Sequence, residues 1–172
     1  MVEAGTYSAF ELLHDGRRIE IRSLKPQDRE EFVAAVKRTS GQSIRRRFFA
    51  AKRSFTEQEV AFFLNVDFVN HVALIAVLQE GQRPVVGGGR YVVVQPSKAE
   101  VAFMVVDGYQ RQGIGAALMR HLIAIAREAA IKELVADVLP ENTAMLKIFE
   151  KTGLHLITGR GAQVVHVTLQ LV

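Results

Sequence analysis

The residues best suited to chemistry lie in 101–116, V-A-F-M-V-V-D-G-Y-Q-R-Q-G-I-G-A. An apolar run enters a turn spaced by Gly113 and Gly115, and an amphipathic stretch follows. The first turn of a helix carries N–H groups without intrahelical acceptors, and the positive end of the helix dipole lies behind them. Glycine at such a turn lets a ligand approach the backbone closely. The chemistry on offer is binding of a phosphate or pyrophosphate. The plain alternative is a strand-to-helix turn whose glycines serve only tight packing. A Walker loop is excluded, because no Lys-Ser or Lys-Thr follows the glycines. A Rossmann fingerprint fits poorly, since it follows the first strand of a βαβ unit and this turn follows three antiparallel-type strands.

Other chemistries are poorly served. The chain has no cysteine, which removes thiolate nucleophiles, disulfides and Cys-ligated zinc together. His14, His71, His121, His155 and His166 are scattered, and none stands in an H-E-x-x-H arrangement. No metal site is expected. No G-x-S-x-G elbow supports a serine nucleophile. Arg45, Arg46, Arg47, Lys52 and Arg53 form the densest basic run, interrupted by Phe48 and Phe49. That run suits a docking edge for an acidic protein, a contact to RNA or DNA, or a solvated helix face whose two Phe residues enter the core. The net charge is +4 over 172 residues, short of a dedicated nucleic-acid binder. No nucleic-acid partner is expected.

The elements that must position the turn follow from periodicity. Residues 17–24 alternate like a short strand. Pro26 opens an amphipathic helix to about Arg38, with Phe32, Val33 and Val36 on one side. Thr56 followed by Glu59 is a capping-box pattern for a helix from Glu57 to about Val66. Strands are expected over 71–80, 85–94 and 99–106, with a hairpin turn at 79–82. A long helix is expected over 113–130, with Ile114, Leu118, Leu122, Ile125 and Ala129 at helical spacing. A strand over 134–139, a helix started by Pro140-Glu141-Asn142 that stops at Gly153, and strands over 154–158 and 164–171 complete the order, with a turn at 159–161. The pattern is a mixed α/β sheet, antiparallel at first, with one parallel crossover through the long helix. Length corresponds to one domain over 1–172, with 1–16 as an N-terminal extension. No apolar run approaches the roughly 20 residues of a membrane span, and the first nine residues lack the order of a signal peptide. A cytoplasmic location is expected, without membrane contact.

The wider pattern resembles the GCN5-related N-acetyltransferase (GNAT) superfamily. Gln110-Arg111-Gln112-Gly113-Ile114-Gly115 matches its Q/R-x-x-G-x-G/A motif. The segment 140–154, P-E-N-T-A-M-L-K-I-F-E-K-T-G-L, resembles its closing stretch. A narrower likeness, through Ser43-Ile44-Arg45-Arg46-Arg47-Phe48-Phe49 with Glu141, Asn142, Met145 and Leu146, is to the acetyltransferase domain of bacterial protein lysine acetyltransferases. The resemblance implies an α/β GNAT fold: a mixed, mostly antiparallel central sheet, flanking helices and a splayed parallel strand pair. It implies acetyl-CoA as co-substrate and an amine as acceptor, preferably a protein lysine. A small-molecule amine, or an acyl-CoA sensor without turnover, is the alternative.

The resemblance also assigns residues. Phe103, Met104 and Val105 would meet the acyl and pantetheine arm through their backbone. Arg111, Gln112, Gly113, Ile114, Gly115 and Ala116 would wrap the pyrophosphate. Asn142 would bind pantetheine, and as a favoured cap residue it also suits a helix N-cap. Glu100 matches the general base of histone-type members, and Asp137 matches a second acid position. The tyrosine that often protonates the leaving thiolate reads Phe149 in this chain. The terminal strand is expected either to stay in the sheet or to exchange with a partner chain, so a homodimer is left open.

Overall fold

The structure is a computed structural model and describes residues 3–38 and 56–172. The basic and aromatic run at 45–53 lies outside the described residues. Eight strands form one sheet: β1 (Ser8–Leu12), β2 (Arg18–Ser23), β3 (His71–Leu78), β4 (Val85–Gln95), β5 (Lys98–Val105), β6 (Glu133–Val138), β7 (Leu156–Arg160) and β8 (Val165–Gln170). Their spatial order is β1-β2-β3-β4-β5-β6-β8-β7, antiparallel throughout except for β5 with β6. Among the described residues four α-helices flank it: α1 (Arg29–Lys37), α2 (Glu57–Leu64), α3 (Ile114–Glu128) and α4 (Thr143–Glu150).

The central strand shows why the sheet is covered on both faces. Every residue of β3, H-V-A-L-I-A-V-L, is buried. Val72, Leu74, Ala76 and Leu78 join the core that holds Leu118, Leu122 and Ile125 of α3. Ala73, Ile75 and Val77 point the other way, to Phe32 and Ala35 of α1 and Val60, Phe63 and Leu64 of α2. The capping box of α2 forms as the sequence predicts, with the Glu59 N–H donating to Thr56 Oγ1 at 3.1 Å and the Thr56 N–H to Glu59 Oε1 at 3.3 Å. Helix α3 ends at Glu128, so Ala129 becomes its C-cap and not part of its buried stripe.

Two stretches differ from the sequence reading. Residues 8–12, inside the expected extension, form β1 and pair with β2 along its length. Their alternation was hidden because Glu11 faces inward, where His121 and Arg120 of α3 meet it. His121 Nε2 lies 2.7 Å from Glu11 Oε2, and Arg120 donates to Glu11 Oε1 at 2.9 Å. The Tyr7 hydroxyl bonds the other ring nitrogen of His121. Burial and the neighbouring Glu11 charge both push the Tyr7 phenol up. The last hairpin also turns later than expected. Gly159 and Arg160 belong to β7, and the reversal falls after them, closed by the Gly161 N–H to the Val164 carbonyl at 2.9 Å.

Two packing details carry predictions. Tyr91 is fully buried, and its hydroxyl is the one buried side-chain polar atom among the described residues with no hydrogen-bond partner. Burial pushes the phenol up to about 12. An unpaired buried hydroxyl is a net cost, so Tyr91→Phe is expected to be neutral or stabilising by up to about 1 kcal/mol. Urea unfolding reads this, and a loss of more than that amount would mean the hydroxyl has a partner.

Arg22 makes a paired contact to Asp28, at 2.9 and 2.8 Å, and fixes the start of α1 on β2. Burial pushes the Asp28 carboxyl up, but Arg22 and the Lys25 N–H together hold it below its ordinary value. A carboxyl with a depressed folded-state pKa stabilises above its unfolded value and loses that contribution as pH falls through the folded one. Asp28→Asn is therefore less stable than wild type at pH 7, and the gap closes below about pH 4. Denaturation at the two pH values measures it; a constant gap would show that the charge plays no part.

Candidate active site

Strands β5 and β6 run parallel but stay paired over only three positions, Lys98 with Glu133, Ala99 with Leu134 and Glu100 with Val135. Beyond Glu100 they separate. The stretch Val101–Val105 keeps β4 as its neighbour on the other side, through Val101 with Tyr91, Ala102 with Arg90 and Phe103 with Gly89. One edge of its backbone therefore lines a wedge-shaped opening. β5 runs on to α3 and β6 to α4, so both helix N-termini lie at the wide end.

The loop into α3 has unusual backbone geometry. Arg111 and Gly113 have φ of +64° and +92°, and Gly113 is the N-cap. The first ladder bond of the helix runs from the Ala117 N–H to the Gly113 carbonyl at 3.0 Å. The N–H groups of Ile114, Gly115 and Ala116 precede it and have no intrahelical acceptor. The side chain of Ile114 and the Cα of Gly115 are committed to packing. Ile114 is 1% exposed, and a Cβ on Gly115 would stand 2.6 Å from Ile148 of α4. What these two residues can offer an anion is their backbone. Gln110 donates from Nε2 to the Val105 carbonyl at 3.2 Å and so links the strand end to the loop.

The glycines of β4 bring α3 this close. A Cβ on Gly87 would meet Ile114 at 3.0 Å, and one on Gly89 would meet the Phe103 ring at 2.8 Å. The G-G-G run in a strand was a readable sign of close backbone approach.

Register places the two candidate acids on one face. Glu100 is paired with Val135, and Asp137 lies two residues further along β6, so all three share a face. Glu100 is exposed, and its carboxylate has no hydrogen bond or ion pair among the described residues. Asp137 bonds the ring of His166 on β8. The same face carries Arg90 and His71, both buried. Arg90 donates to the Phe63 carbonyl at 3.1 Å and lies 2.7 Å from His71 Nε2. It thereby holds the last turn of α2 on the sheet. Nothing in the local sequence pointed to this pair.

The remaining candidates divide. Met104 packs toward α1 and α2, on the face opposite Phe103 and Val105. Asn142 is the N-cap of α4, and its Oδ1 accepts from the Met145 N–H at 3.2 Å. Gln112 turns toward the β1–β2 turn, with its Oε1 accepting from the Asp15 N–H at 3.2 Å. Phe149 is fully buried in the core and offers no phenol. Among the described residues no group of three or more metal-ligating side chains converges, and no helix is long and apolar enough to cross a membrane.

Residues 41–154 match the family model described as the acetyltransferase (GNAT) family. This chain belongs to the GNAT acetyltransferase family. An acetyltransferase of Pseudomonas aeruginosa is 31% identical over 137 residues, covering 78% of this chain and 74% of that protein. Acetyltransferase Pat of Mycolicibacterium smegmatis is 33% identical over 141 residues, covering 80% of this chain and 41% of that protein. The crystal structure of the GNAT domain of S. lividans PAT superposes with a TM-score of 0.86 at 30% identity, covering 95% of this chain and 96% of that one. The mixed sheet with its single parallel pair is thus the GNAT fold, as the sequence resemblance implied. The fold sets the loop of Gln110–Gly115 at the wide end of the opening beside β5.

Proposed function

We propose that the protein transfers an acetyl group from acetyl-CoA to a primary amine, preferably a protein lysine, by direct attack. The observation that carries this reading is the opening between β5 and β6. It has the amide-bearing start of α3 at its wide end and Glu100 where the strands still pair. An extended thioester arm fits against the strand edge at Phe103, Met104 and Val105. Its pyrophosphate falls at the N–H groups of Ile114, Gly115 and Ala116, where Gly113 allows the left-handed turn and Arg111 adds charge. Asn142 can meet the pantetheine with the amide of its side chain while its Oδ1 caps α4.

The acceptor amine arrives protonated at neutral pH, because a lysine amine has a reference pKa of about 10.4. Glu100 takes that proton, directly or through one water, and the neutral amine attacks the thioester carbonyl. Negative charge then develops on the carbonyl oxygen, and a backbone N–H of β5 near Val105 stabilises it. The intermediate collapses with loss of thiolate, and the second proton on its nitrogen passes to that thiolate or to solvent, leaving the neutral amide. A thiol pKa of about 8.5 makes that departure tolerable without an acid at Phe149. The preference for a protein lysine rests on the likeness at 43–49 and on the similarity to the Pat proteins.

Phe149 favours a second reading, an acyl-CoA-binding sensor without turnover. One experiment separates the readings: thiol release from acetyl-CoA with a panel of lysine peptides, proteins and small amines. Release with lysine acceptors is expected. Binding without release for any amine would favour the sensor. Failure of the protein to bind acetyl-CoA in calorimetry would remove both readings.

A further inference from the structure

We infer that the β1–β2 turn is a working part of the donor site, a brace that presets the pyrophosphate loop, with Gln112 as its anchor; this rests on the acetyl-CoA reading above. Three contacts join them. The His14 N–H donates to the Gln112 carbonyl at 3.1 Å. The Asp15 N–H donates to Gln112 Oε1 at 3.2 Å. The His14 ring lies against Gly113, where a Cβ would stand 2.8 Å from its Nε2. A fourth contact reaches the other end of the loop, where the Arg17 guanidinium lies 5.1 Å from the Tyr109 ring centroid. Tyr109 closes the short helical turn Asp107–Tyr109 immediately before the loop. The loop is therefore held at both ends.

The turn is itself well ordered by hydrogen bonds. The Leu13 N–H donates to the Arg17 carbonyl at 2.8 Å, and the Gly16 N–H to the Leu13 carbonyl at 3.0 Å. The Asp15 carboxylate accepts from the Arg17 N–H at 3.0 Å and from its Nε at 2.8 Å. The far end of β1 is fastened to the middle of α3 through Tyr7, Glu11 and His121. One hairpin thus spans the outside of α3 from its second turn to its N-cap. It lies outside the segment 41–154 that the family model matches.

The loop needs such support because two of its four residues before α3 are left-handed, and one of them is Arg111. A non-glycine residue at positive φ is disfavoured, so an unsupported loop would relax toward other conformations. Each relaxed conformer turns the helix-start N–H groups away from the place where a pyrophosphate must sit. The brace selects the binding-competent conformer in advance and so lowers the ordering cost of donor binding.

The test uses two donors. Acetyl-CoA carries the pyrophosphate, and S-acetylpantetheine carries the same thioester arm without it. In the exposed pair Asp15→Ala/Arg17→Ala, KM for acetyl-CoA is expected to rise about tenfold with kcat held, the pattern of lost uniform binding. The kcat/KM for S-acetylpantetheine is expected to stay within about twofold of wild type, since that donor never reaches the loop. Amide exchange at 114–116 in the unliganded variant should quicken while exchange in β3 does not. Gln112→Leu should reproduce the acetyl-CoA effect. An unmoved acetyl-CoA KM in both variants would overturn the brace. An equal fall with both donors would also overturn it, because it signals general loosening. A wild-type protein that fails to bind acetyl-CoA removes the functional reading and the brace together, whereas wild-type binding with unmoved variants removes the brace alone.

Discussion

Replacing Glu100 with Gln is expected to lower kcat/KM for the amine by about 10²- to 10⁴-fold at pH 7, the ordinary worth of a general base. The variant keeps the size and shape of the side chain, turns one accepting oxygen into a donating amide, and loses the negative charge and basicity. Its rate should then follow the neutral fraction of the amine, which grows about tenfold per pH unit below the amine pKa of about 10.4. The wild-type rate should climb less steeply over the same range, so the two profiles converge as pH rises. Acetyl-CoA affinity should not change, because Glu100 lies where β5 and β6 still pair and not beside the loop of α3. Asp137→Asn provides the comparison. Asp137 already bonds His166, so its loss should cost under about tenfold. A larger loss at Asp137 than at Glu100 would move the base to β6. An unchanged profile for Glu100→Gln would leave the attack without a base on β5.

Gly113→Val is expected to abolish useful donor binding, raising the acetyl-CoA Kd by at least about a hundredfold. The N-cap has φ of +92°, and a new Cβ would stand 2.8 Å from His14 Nε2. A β-branched residue is a genuine outlier at such a φ. The loop must either carry that strain, about 1–3 kcal/mol, or change conformation. A changed conformation misdirects the N–H groups of Ile114, Gly115 and Ala116. Hydrogen bonds to a charged group contribute about 1.5–3 kcal/mol each, so loss of two accounts for the predicted change. Gly108→Ala serves as the control, since a Cβ there meets nothing within 4 Å. Calorimetric titration with acetyl-CoA reads both. An unchanged Kd for Gly113→Val would show that the loop does not hold the pyrophosphate.

The legible part of this protein was local. The all-apolar run of β3, the stripe Ile114, Leu118, Leu122 and Ile125, the Thr56–Glu59 cap and the Gly-spaced turn each report burial or capping within a few residues. Periodicity encodes such facts because each turn of helix or pleat of strand repeats the same choice between core and water. The Gly-spaced loop was therefore in view before any coordinates, and the family resemblance named both candidate acids. β1 was not, because its inward residue is Glu11, whose partner lies on α3 more than one hundred positions away. The same holds for Gln112, expected beside the pyrophosphate and found holding Asp15, 97 residues distant in sequence.

By itself the sequence determined the order of elements from β2 onward, the loop that can meet a phosphate and the family to which the motifs point. Only the tertiary structure decided that β5 and β6 part company just after Glu100, that Glu100 and Asp137 share a face, and that Asp137 is bound to His166. It alone placed the Arg90–His71 pair beneath α2 and the hairpin of β1 and β2 against the loop before α3. The physical reason is the same in each case. A partner that satisfies a charge or a hydrogen bond can come from any distance along the chain, and no local pattern records which one the fold will bring.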